Sequence, residues 1–463
     1  MYFDAKRFFK MMDGRKIDVI GFGVSNSELV FKLAENGAVV KLHDKRTADK
    51  LRPEQLDRLK AAGVALSLGE SYLDDLDGQI VFRTPGMPFT HPALTAAREK
   101  GKIVTSELEV FIDLCPCPIF GITGSDGKTT TSSLIAAMLA KTGKTVHLGG
   151  NIGKPLLSIL DKVSENDYCV IELSSFQLLS MRCSPDVAVV TNVSPNHLDV
   201  HKDMQEYIDA KRNIVLHQNG FCKAVLSADN EISRSFTSDV RGRLSYFSRT
   251  HEVENGAWMD ENGDIYHSNG GRAVKLFNRS EIRLPGLHNV ENVLTAISAV
   301  WGAVSPKGIQ EAASEFSGVE HRIEFIRELD GVRWYNDSIA TTPSRMKAGL
   351  LSFEQKLTII AGGYDKKIPF EPMAETAVKK IKTLILSGPT APKIEAAVRA
   401  AEGFDQCGMK IIHAENVADA VTIARENTAE GDIVILSPAC ASFDAFPNFE
   451  ERGRYFKKLV REL

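Results

Sequence analysis

Short apolar runs alternate with stretches of helical periodicity along the chain, and this alternation is repeated in three successive segments. The clearest runs are KIDVIGFG (16–23), GAVVKLHD (37–44) and GQIVFRTPG (78–86), then DYCVIELSS (167–175) and VAVVTNVS (187–194), then LTIIAGGYDKK (357–367), TLILSGPT (383–390) and DIVILSPACAS (432–442). Such alternation is typical of parallel sheets, so it predicts an α/β protein. Each run stops at glycine, serine, threonine or a charged residue, and open parallel sheets bind ligands at those carboxyl ends.

Residues 238–285 have a different pattern. The stretch AWMDENGDIYH predicts a hairpin with Asn262-Gly263 at its turn, and therefore a small antiparallel patch. No low-complexity linker separates the segments. We predict three domains with boundaries near 106 and 318, that is 1–106, 107–318 and 319–463, with the antiparallel patch in the second.

The composition is that of a globular protein, since 43% of the 463 residues are hydrophobic and 25% are charged. The formal charge of −4 argues against a protein that binds nucleic acid or a membrane surface through a basic face. The N-terminus is too charged for a signal peptide, and no apolar run reaches the roughly 18 residues of a membrane span. We expect a cytoplasmic monomer without stable membrane insertion.

Seven cysteines are scattered along the chain, at positions 115, 117, 169, 183, 222, 407 and 440. An odd number without paired spacings indicates reduced thiols. The CPC at 115–117 could form a metal or redox pair, but no second pair lies near it in the sequence.

The stretch GITGSDGKTT (121–130) follows the apolar run CPIF and predicts a phosphate-binding loop. A glycine-rich turn between a strand and a helix presents backbone N–H groups at the positive end of the helix dipole. Lys128 would reach the outer phosphates and Thr129 would offer a hydroxyl to Mg²⁺. The first glycine stands one place before its usual position, and Asp126 adds a negative charge. The alternative is a glycine-rich turn capped by threonine.

A metal-bound nucleotide also needs an acid at the end of a neighbouring strand. Glu172 follows an apolar run and is the candidate, although a charge at a strand end is often only a surface residue. After the next run, His197, Asp199 and His201 fall within five residues. We expect at least one of the three to be an ordinary loop residue, and His197 is the candidate ligand because it lies nearest the strand end.

Lys211 shares a helix face with the apolar positions 207, 208, 214 and 215. Because an isolated buried ammonium is costly, Lys211 must reach solvent along the surface, pair with an acid, lose its proton or be modified. Taken alone, the stretch favours a lysine whose ammonium extends to solvent.

Near the N-terminus, GFGVSNSE (21–28) is similar to a dinucleotide fingerprint in which Asn26 replaces the third glycine. Asp44 follows at about the spacing of an acidic ribose ligand, and Lys45 and Arg46 come directly after it. The pattern supports a pyrophosphate at a helix N-terminus without specifying the nucleotide.

Together these motifs resemble those of the Mur ligases, the ATP-dependent amide-forming enzymes of peptidoglycan synthesis. The segments that carry the resemblance, in family order, are TGSDGKTT (123–130), GGNIG (149–153), ELSSFQL (172–178), NHLD (196–199), YIDAK (207–211), HNVEN (288–292) and HR (321–322). They span most of the chain, and the displaced glycine of the loop is the family's own. The implied architecture is a Rossmann-like domain for a UDP substrate, a central P-loop ATPase-like domain and a Rossmann-like domain for an amino acid.

Within the family, NDSIAT (336–341) and LSPACASFDAFPNFEERG (436–453) resemble the members that add D-glutamate. The DNPR motif of the diaminopimelate- or lysine-adding members is absent, as is the HHP segment of the L-alanine-adding members. The resemblance implies a ligase that joins D-glutamate to UDP-N-acetylmuramoyl-L-alanine through an acyl phosphate, in peptidoglycan precursor synthesis. Another Mur or folylpolyglutamate-type amide ligase with a different amino acid is the alternative.

The resemblance also implies roles for single residues. Lys128, Glu172, His197 and Lys211 would be catalytic, and Thr129, Glu172, His197 and Lys211 would serve two Mg²⁺ ions. In the family the lysine is commonly a carbamate, which reverses the preference for a solvent-reaching ammonium. We therefore expect Lys211 to be carbamylated.

Further ligand contacts follow from matching positions. The nucleotide would contact Gly124, Ser125, Asp126, Gly127, Lys128, Thr129, Thr130, Asn289, Asn292, Arg322 and Asp337. The muramoyl substrate would contact Asn151, Ser174 and His197, with its UDP on Val24, Ser25, Asp44, Lys45, Arg46, Thr84 and Gly86. D-Glutamate would contact Thr341, Lys366, Ser442, Phe443 and Phe449. Two positions depart from the family pattern, because Ile339 replaces a common lysine and Asn196 replaces an acidic residue.

Three other functions compete with this interpretation. A nicotinamide-dependent oxidoreductase would use the N-terminal fingerprint but leaves the Lys-Thr loop unexplained. A folylpolyglutamate synthetase-like ligase would not need the whole additional domain that precedes the loop. A non-enzymatic P-loop regulator would release no phosphate when amino acid and nucleotide sugar are supplied.

Overall fold

The computed structural model describes residues 4–153, 155–195 and 201–463, and its first sheet is wholly parallel. Its strands are β1 (Lys16–Ile20), β2 (Val39–Asp44), β3 (Ala65–Leu68), β4 (Ile80–Phe82) and β5 (Ile103–Thr105). The helices along this segment are α1 (Ala5–Met12), α2 (Val24–Glu35), α3 (Pro53–Ala61), α4 (Pro92–Glu99) and α5 (Glu107–Leu114). The strand order β3-β2-β1-β4-β5 places β1 at the centre.

The central position of β1 explains why its residues are almost all buried. Ile17, Val19 and Ile20 belong to the core, and even Asp18 is buried, where it lies 3.0 Å from His43 Nε2. Parallel strands covered on both faces give continuous apolar runs, which is the signal that predicted β1, β2 and β4. The edge strands β3 and β5 are less buried, so their sequences carry a weaker signal.

The second sheet has nine strands in the order β14-β13-β12-β11-β10-β9-β6-β8-β7. Their bounds are β6 (Ile119–Thr123), β7 (Val146–Gly150), β8 (Tyr168–Glu172), β9 (Val187–Val190), β10 (Lys223–Ser227), β11 (Arg243–Ser248), β12 (Gly256–Met259), β13 (Asp264–Asn269) and β14 (Arg272–Asn278). Its helices are α6 (Lys128–Ala140), α7 (Ser175–Leu178), α8 (Met204–Leu216) and α9 (Glu231–Ser235), followed by α10 (Leu287–Val300) and α11 (Pro306–Glu315).

The predicted hairpin is confirmed as the antiparallel end of this sheet. Strands β12 and β13 pair antiparallel around a turn in which Gly263 has φ +81°, and β14 extends the patch. From β12 to β7 all pairs are parallel, so β6, β8 and β9 end at one edge. Short 3₁₀ helices lie at Ala48–Lys50, Leu157–Lys162, Phe236–Asp239 and Arg279–Glu281.

The third sheet has six strands in the order β15-β16-β20-β17-β18-β19. Their bounds are β15 (Glu324–Leu329), β16 (Val332–Asn336), β17 (Leu357–Gly362), β18 (Ile381–Ser387), β19 (Lys410–His413) and β20 (Ile433–Leu436). The helices are α12 (Pro343–Leu351), α13 (Glu371–Lys380), α14 (Ala391–Arg399), α15 (Phe404–Cys407), α16 (Val417–Glu426) and α17 (Phe449–Glu462). Only the β15–β16 pair is antiparallel.

The chain divides into two compact units. The first comprises Met1–Arg279 with Val290–Ala313 and holds the first two sheets, and the second comprises Ser280–Asn289 with Ser314–Leu463 and holds the third. The predicted α/β class is confirmed, whereas the domain boundaries near 106 and 318 stay predictions. Within the described part of the chain, no helix has the length and apolar character needed to cross a membrane.

Candidate functional site

The glycine loop between β6 and α6 has the shape that the sequence predicts. Gly124 has φ +152°, and a Cβ on it would overlap Thr191 Oγ1. Gly127 has φ +78° as the N-cap of α6, and a Cβ there would overlap Asn292 Oδ1. Side chains are thus excluded from both positions, which leaves backbone N–H groups at the positive end of the α6 dipole.

The displaced glycine at 121 has a packing role. A Cβ on Gly121 would lie 2.6 Å from Pro185 Cγ and 3.2 Å from Leu173 Cδ1. Gly121 therefore lets β6 pack closely against its neighbours, two residues before the strand ends.

Asp126 joins the loop through its backbone. Its N–H donates to Asn192 Oδ1 at 3.0 Å, and its carbonyl accepts from Thr191 Oγ1 at 2.7 Å. The residue is exposed. Thr191 and Asn192 directly follow β9 and were not predicted as site residues. Their position at a strand end, in VVTN, is the signal that could have identified them.

Lys128 and Lys211 both reach the backbone of the loop. Lys128 Nζ donates to the carbonyls of Gly124 and Ser125, each at 2.9 Å, and Lys211 Nζ donates to the carbonyl of Gly124 at 2.8 Å. Lys211 is only 1% exposed, and its Nζ lies 4.5 Å from the centre of the Tyr207 ring. The structure therefore contradicts the extension of this ammonium to solvent.

The surroundings of Lys211 disfavour its charged form. Burial lowers the pKa of Lys211 to about 7, and the nearby positive charge of Lys128 adds to the effect. No acidic partner for its Nζ is present among the described residues, whose contacts to it are Gly124 O, Thr123 Oγ1 and the Tyr207 ring.

Glu172 ends β8 and is buried between two polar side chains. Its Oε2 accepts a hydrogen bond from Thr129 Oγ1 and its Oε1 accepts one from Asn151 Nδ2, both at 2.8 Å. The structure thus brings together three residues that were selected separately from the sequence. Hydroxyl, carboxylate and amide oxygens are suitable ligands for Mg²⁺.

The three candidates between β9 and α8 differ in outcome. His197 and Asp199 lie outside the described residues, as does Asn196. His201 is buried, with Nε2 at 2.9 Å from Ser175 Oγ and Nδ1 at 3.1 Å from Glu206 Oε2. Its ring also stacks on Phe176 with 5.0 Å between centroids. His201 is therefore an internally satisfied loop residue, as was expected for at least one member of the group.

At the N-terminal fingerprint, Asp44 has its carboxylate occupied by the protein. It accepts from Phe22 N–H at 2.8 Å and from Arg46 N–H, Nε and Nη2 at 2.8–3.0 Å. Burial acts to raise the pKa of Asp44, but the bonds from Arg46 and Phe22 outweigh it and the net shift is downward. A carboxylate held this way does not serve as the free ribose ligand of the oxidoreductase interpretation.

The remaining N-terminal candidates surround the start of α2. Val24 is 73% exposed directly after the N-cap Gly23, and Asn26 donates to the Ile20 carbonyl at 2.9 Å. Thr84 approaches the first glycine of the fingerprint, where a Cβ on Gly21 would lie 3.2 Å from Thr84 Cβ. The other candidates of this group, none of them buried, are Ser25, Lys45 and Gly86. Ser174 instead caps α7 by accepting from Gln177 N–H.

In the second unit, Asp337 is buried at the end of β16. It accepts from Ser437 Oγ at 2.9 Å and from Ile323 N–H at 3.3 Å. Burial raises the pKa of Asp337 to about 7, although both hydrogen bonds and the charge of Arg322 act to lower it. Asn289 donates to the Pro285 carbonyl at 2.7 Å.

The candidates for the amino acid lie around the carboxyl ends of the third sheet. Lys366 Nζ lies 3.3 Å from Thr341 Oγ1, and both residues keep solvent access. Ser442 is buried, whereas Phe443 is 63% exposed and packs edge-on against Tyr364. Phe449 begins α17, and its carbonyl accepts from Ser338 Oγ at 2.8 Å.

Arg452 was missed by the sequence reasoning and holds this region together. Its buried guanidinium donates to Ser338 Oγ and to the carbonyls of Ser338, Cys440 and Ala441, all at 3.0–3.1 Å. It therefore joins the segment after β16 to the segment after β20. A charged residue inside an otherwise amphipathic C-terminal helix gives no sequence signal for this role.

A glycine loop that opens a helix, with an acid on the adjacent strand and a second parallel-sheet unit, defines a nucleotide-binding α/β protein. Comparison with known families refines this class. The Mur ligase middle domain matches residues 122–300, and the Mur ligase glutamate ligase domain matches residues 321–440.

Sequence relatives match over almost the full chain. The UDP-N-acetylmuramoylalanine--D-glutamate ligase of Clostridium kluyveri is 48% identical over 461 residues, which is 99% of both chains. The enzymes of the same name from Acetivibrio thermocellus and Clostridium tetani are 47% and 46% identical, over 98% and 99% of both chains. This chain belongs to the Mur ligase family.

Solved structures agree in fold. UDP-N-acetylmuramate-alanine ligase from Thermotoga maritima has a TM-score of 0.57 at 18% identity and covers 97% of this chain and 100% of its own. A UDP-N-acetylmuramoyl-L-alanyl-D-glutamate--2,6-diaminopimelate ligase has a TM-score of 0.56 at 17% identity, covering 94% and 88%. The predicted family and architecture are confirmed.

Proposed function

We propose that this chain is an ATP-dependent ligase that joins D-glutamate to UDP-N-acetylmuramoyl-L-alanine in peptidoglycan precursor synthesis. The observation that carries the proposal is 48% identity over 99% of both chains to a relative named for this ligation. Family membership confirms the ligase class that the sequence predicts. The alternative is a ligase of the same type that adds a different amino acid.

The glycine loop is the proposed site for the phosphates of ATP. Gly124 and Gly127 exclude side chains, so the backbone can approach an anion closely. Lys128 already reaches across the loop to two carbonyls, and phosphate oxygens would replace them as acceptors. Its charge would then stabilise the phosphoryl group in transfer and the oxyanion of the tetrahedral intermediate.

Thr129 and Glu172 are the proposed ligands of one Mg²⁺. Their oxygens lie 2.8 Å apart, and the amide of Asn151 orients the other carboxylate oxygen. When bound, the ion would offset the charge that develops during phosphoryl transfer. A second ion, served by His197 and Lys211, is implied by the family resemblance.

The reaction itself follows from the family resemblance. The substrate carboxylate attacks the terminal phosphorus of ATP, and an acyl phosphate forms as ADP leaves. The amine of D-glutamate then attacks the acyl carbon, and phosphate leaves as the amide forms. This chain contributes position and charge, because its loop holds the phosphates and Lys128 faces the anionic centres.

Lys211 is the proposed carbamate. Its neutral amine would attack the carbon of CO₂, so that an N–C bond forms, one C–O π bond opens and one proton leaves to solvent, which converts a neutral amine into an anion. The reaction needs a neutral amine, and the burial of Lys211 beside the Lys128 charge favours that form. A carbamate would also remove a buried ammonium that contacts no carboxylate among the described residues.

Replacing Lys211 by alanine tests the carbamate. We expect Lys211→Ala to be inactive and to regain activity with formate or acetate, which would stand in for the carbamate in the vacated space. Lys128→Ala is the control, since an added anion should not replace its positive charge. Failure of every short carboxylate to restore Lys211→Ala, or an uncarbamylated lysine in an atomic-resolution structure under bicarbonate, would contradict the proposal.

The nucleotide-sugar substrate and D-glutamate are assigned to separate groups of residues. The UDP moiety is proposed to lie at the start of α2, near Val24, Thr84 and the Asp44–Arg46 pair, and the muramoyl part near Asn151 and Ser174. D-Glutamate is proposed to lie near Lys366 and Thr341, with Ser442, Phe443 and Phe449 around it. A lysine is a suitable partner for a dicarboxylate.

One assay tests the proposed function directly. Phosphate release from ATP is measured with UDP-N-acetylmuramoyl-L-alanine and, separately, D-glutamate, L-glutamate, L-alanine or L-lysine. We expect release with D-glutamate alone. Release with another amino acid alone would favour the alternative ligase, and no release with any would overturn the proposal.

A further inference from the structure

Three cysteines that the proposed ligase chemistry does not use meet at one point of the first unit. Cys115 caps the C-terminus of α5, Cys117 precedes β6, and Cys169 lies in β8. Their sulfur atoms are 3.7 Å apart for 115–117, 3.6 Å for 115–169 and 3.5 Å for 117–169. The fold thus adds a third thiol to the CPC pair, from a strand more than fifty residues further along the chain.

The triangle of sulfurs has the size of a metal-binding face. Tetrahedral Zn²⁺ holds its thiolates at about 2.3 Å, so neighbouring sulfurs lie about 3.8 Å apart. All three observed distances fall just below that value, and they are nearly equal. An ion above the centre of the triangle would therefore need only a small outward movement of each sulfur.

Burial and neighbouring polar groups also suit an ion. Cys117 and Cys169 are buried, while Cys115 is only partly covered, which leaves a side from which a metal can enter. His147 is paired with Cys169 across the β7–β8 ladder, and its Nε2 lies 2.9 Å from Asp167 Oδ2. Histidine ligands of metal sites are commonly held by a carboxylate in this way, although His147 is not part of the sulfur triangle.

We propose that Cys115, Cys117 and Cys169 bind one thiophilic divalent ion, Zn²⁺, as three thiolates with the fourth position open to water. Three S–Zn bonds form and the thiol protons pass to solvent, so affinity rises with pH. An open fourth position makes the ion exchangeable.

The site lies at the opposite end of the strands that carry the glycine loop and Glu172. Cys117 precedes β6, which runs into Gly124, and Cys169 lies three residues before Glu172 in β8. The ion would tie the end of α5 to both strands. Binding to the folded chain alone stabilises it by mass action, so loading should raise the unfolding temperature of the first unit.

Cobalt titration of the full chain tests the proposal. The protein is produced without a polyhistidine tag, stripped with a chelator, kept reduced and titrated with Co²⁺. We expect a thiolate-to-cobalt charge-transfer band that saturates at one equivalent and disappears when Zn²⁺ is added. Cys115→Ser should weaken binding on the order of a hundredfold or more, since even an outer-shell partner is typically worth about 10–100-fold.

Cys183→Ser is the matched control, because Cys183 is also a partly buried thiol of the first unit but lies outside the triangle. It should leave the titration unchanged. Circular dichroism verifies that both variants are folded, and alkylation of the wild-type chain gives a second readout: Zn²⁺ should protect the partly exposed Cys115 but not Cys183 or Cys407, which are also partly exposed. A missing charge-transfer band, or one that persists in Cys115→Ser, would mean that the three thiols only pack together.

Discussion

Asp126 adds a negative charge to a loop that is proposed to bind anions. The loop tolerates this charge because Asp126 takes part in it through its backbone. Both backbone polar groups of Asp126 bond to side chains at the end of β9, and the residue itself is exposed. The carboxylate is therefore free to be screened by solvent.

We predict that Asp126→Asn leaves the KM for ATP within a few-fold of the wild-type value, or lowers it. Steady-state phosphate release at varied ATP measures this. Glu172→Gln is the comparison, because it changes the carboxylate that contacts Thr129 and Asn151 and should cost far more. A loss on the order of a hundredfold for Asp126→Asn, about 2.7 kcal/mol, would assign its carboxylate a direct role.

At the scale of elements, the conformation of the turn from β6 into α6 requires glycine at position 124, where the turn starts. A Cβ at Gly124 would overlap Thr191 Oγ1, and φ of +152° is strained for any other residue. The turn and the end of β9 must therefore be built together.

We predict that Gly124→Ala lowers kcat/KM for ATP by at least on the order of a hundredfold, because the loop must move away from Thr191. Gly143→Ala is the control at the other end of α6, where φ is +78° but a Cβ would meet nothing within 4 Å. It should reduce stability without changing the kinetics. Equal kinetics for the two variants would remove the loop geometry as the cause.

Helix α17 carries a second element-scale dependence. Arg452 bonds three carbonyls and one hydroxyl from two loops, and the fork of a guanidinium can do this while a single ammonium cannot. Those loops include Ser442 and precede Thr341, which are proposed D-glutamate contacts.

We therefore predict that Arg452→Lys raises the KM for D-glutamate at least about tenfold, while the KM for ATP changes less. Arg454→Lys on the same helix is the control, since Arg454 is exposed and contacts only Glu451 among the contacts described for it. An equal rise in both KM values would point to general loosening of the second unit rather than to its amino-acid site.

At the scale of the whole molecule, Glu107 couples stability to pH. It begins α5, is buried, and accepts the backbone N–H of Leu157 within the first unit. Burial raises the pKa of Glu107 from 4.5 to about 7. Because the folded-state pKa lies above the unfolded one, the folded chain binds the extra proton, and stability falls as pH rises from about 4.5 to about 7.

We predict that, as the pH is raised from 5 to 8, the melting temperature of Glu107→Gln falls less than that of the wild type. Ionising Glu107 costs about 3 kcal/mol once the pH exceeds both pKa values, which corresponds to a few degrees. Thermal unfolding followed by circular dichroism at both pH values measures the difference. Glu54→Gln, at an exposed position of α3, should follow the wild type; a Glu107→Gln curve parallel to the wild type would contradict the coupling.

The amino-acid sequence determined the α/β class with its three segments of alternating strands and helices, the family and the glycine loop, because these depend on local periodicity and on residues close together in the chain. Lys128, Thr129 and Glu172 were selected this way, and the structure brings Thr129 and Glu172 together because α6, which follows β6, begins beside the end of the adjacent strand β8.

Contacts between distant segments were decided only by the tertiary structure. Arg452 reaches segments up to 114 residues away, and Cys169 completes a thiol triangle with a pair 52 and 54 residues earlier. The periodicity around Lys211 is compatible both with an ammonium that reaches solvent and with one that stays buried. Only the packing of α8 beside Gly124 shows that the ammonium is buried. The periodicity of apolar residues shows which face of a helix or strand is buried. It does not show which other element packs against that face, because the two elements are distant in the sequence and meet only when the chain folds.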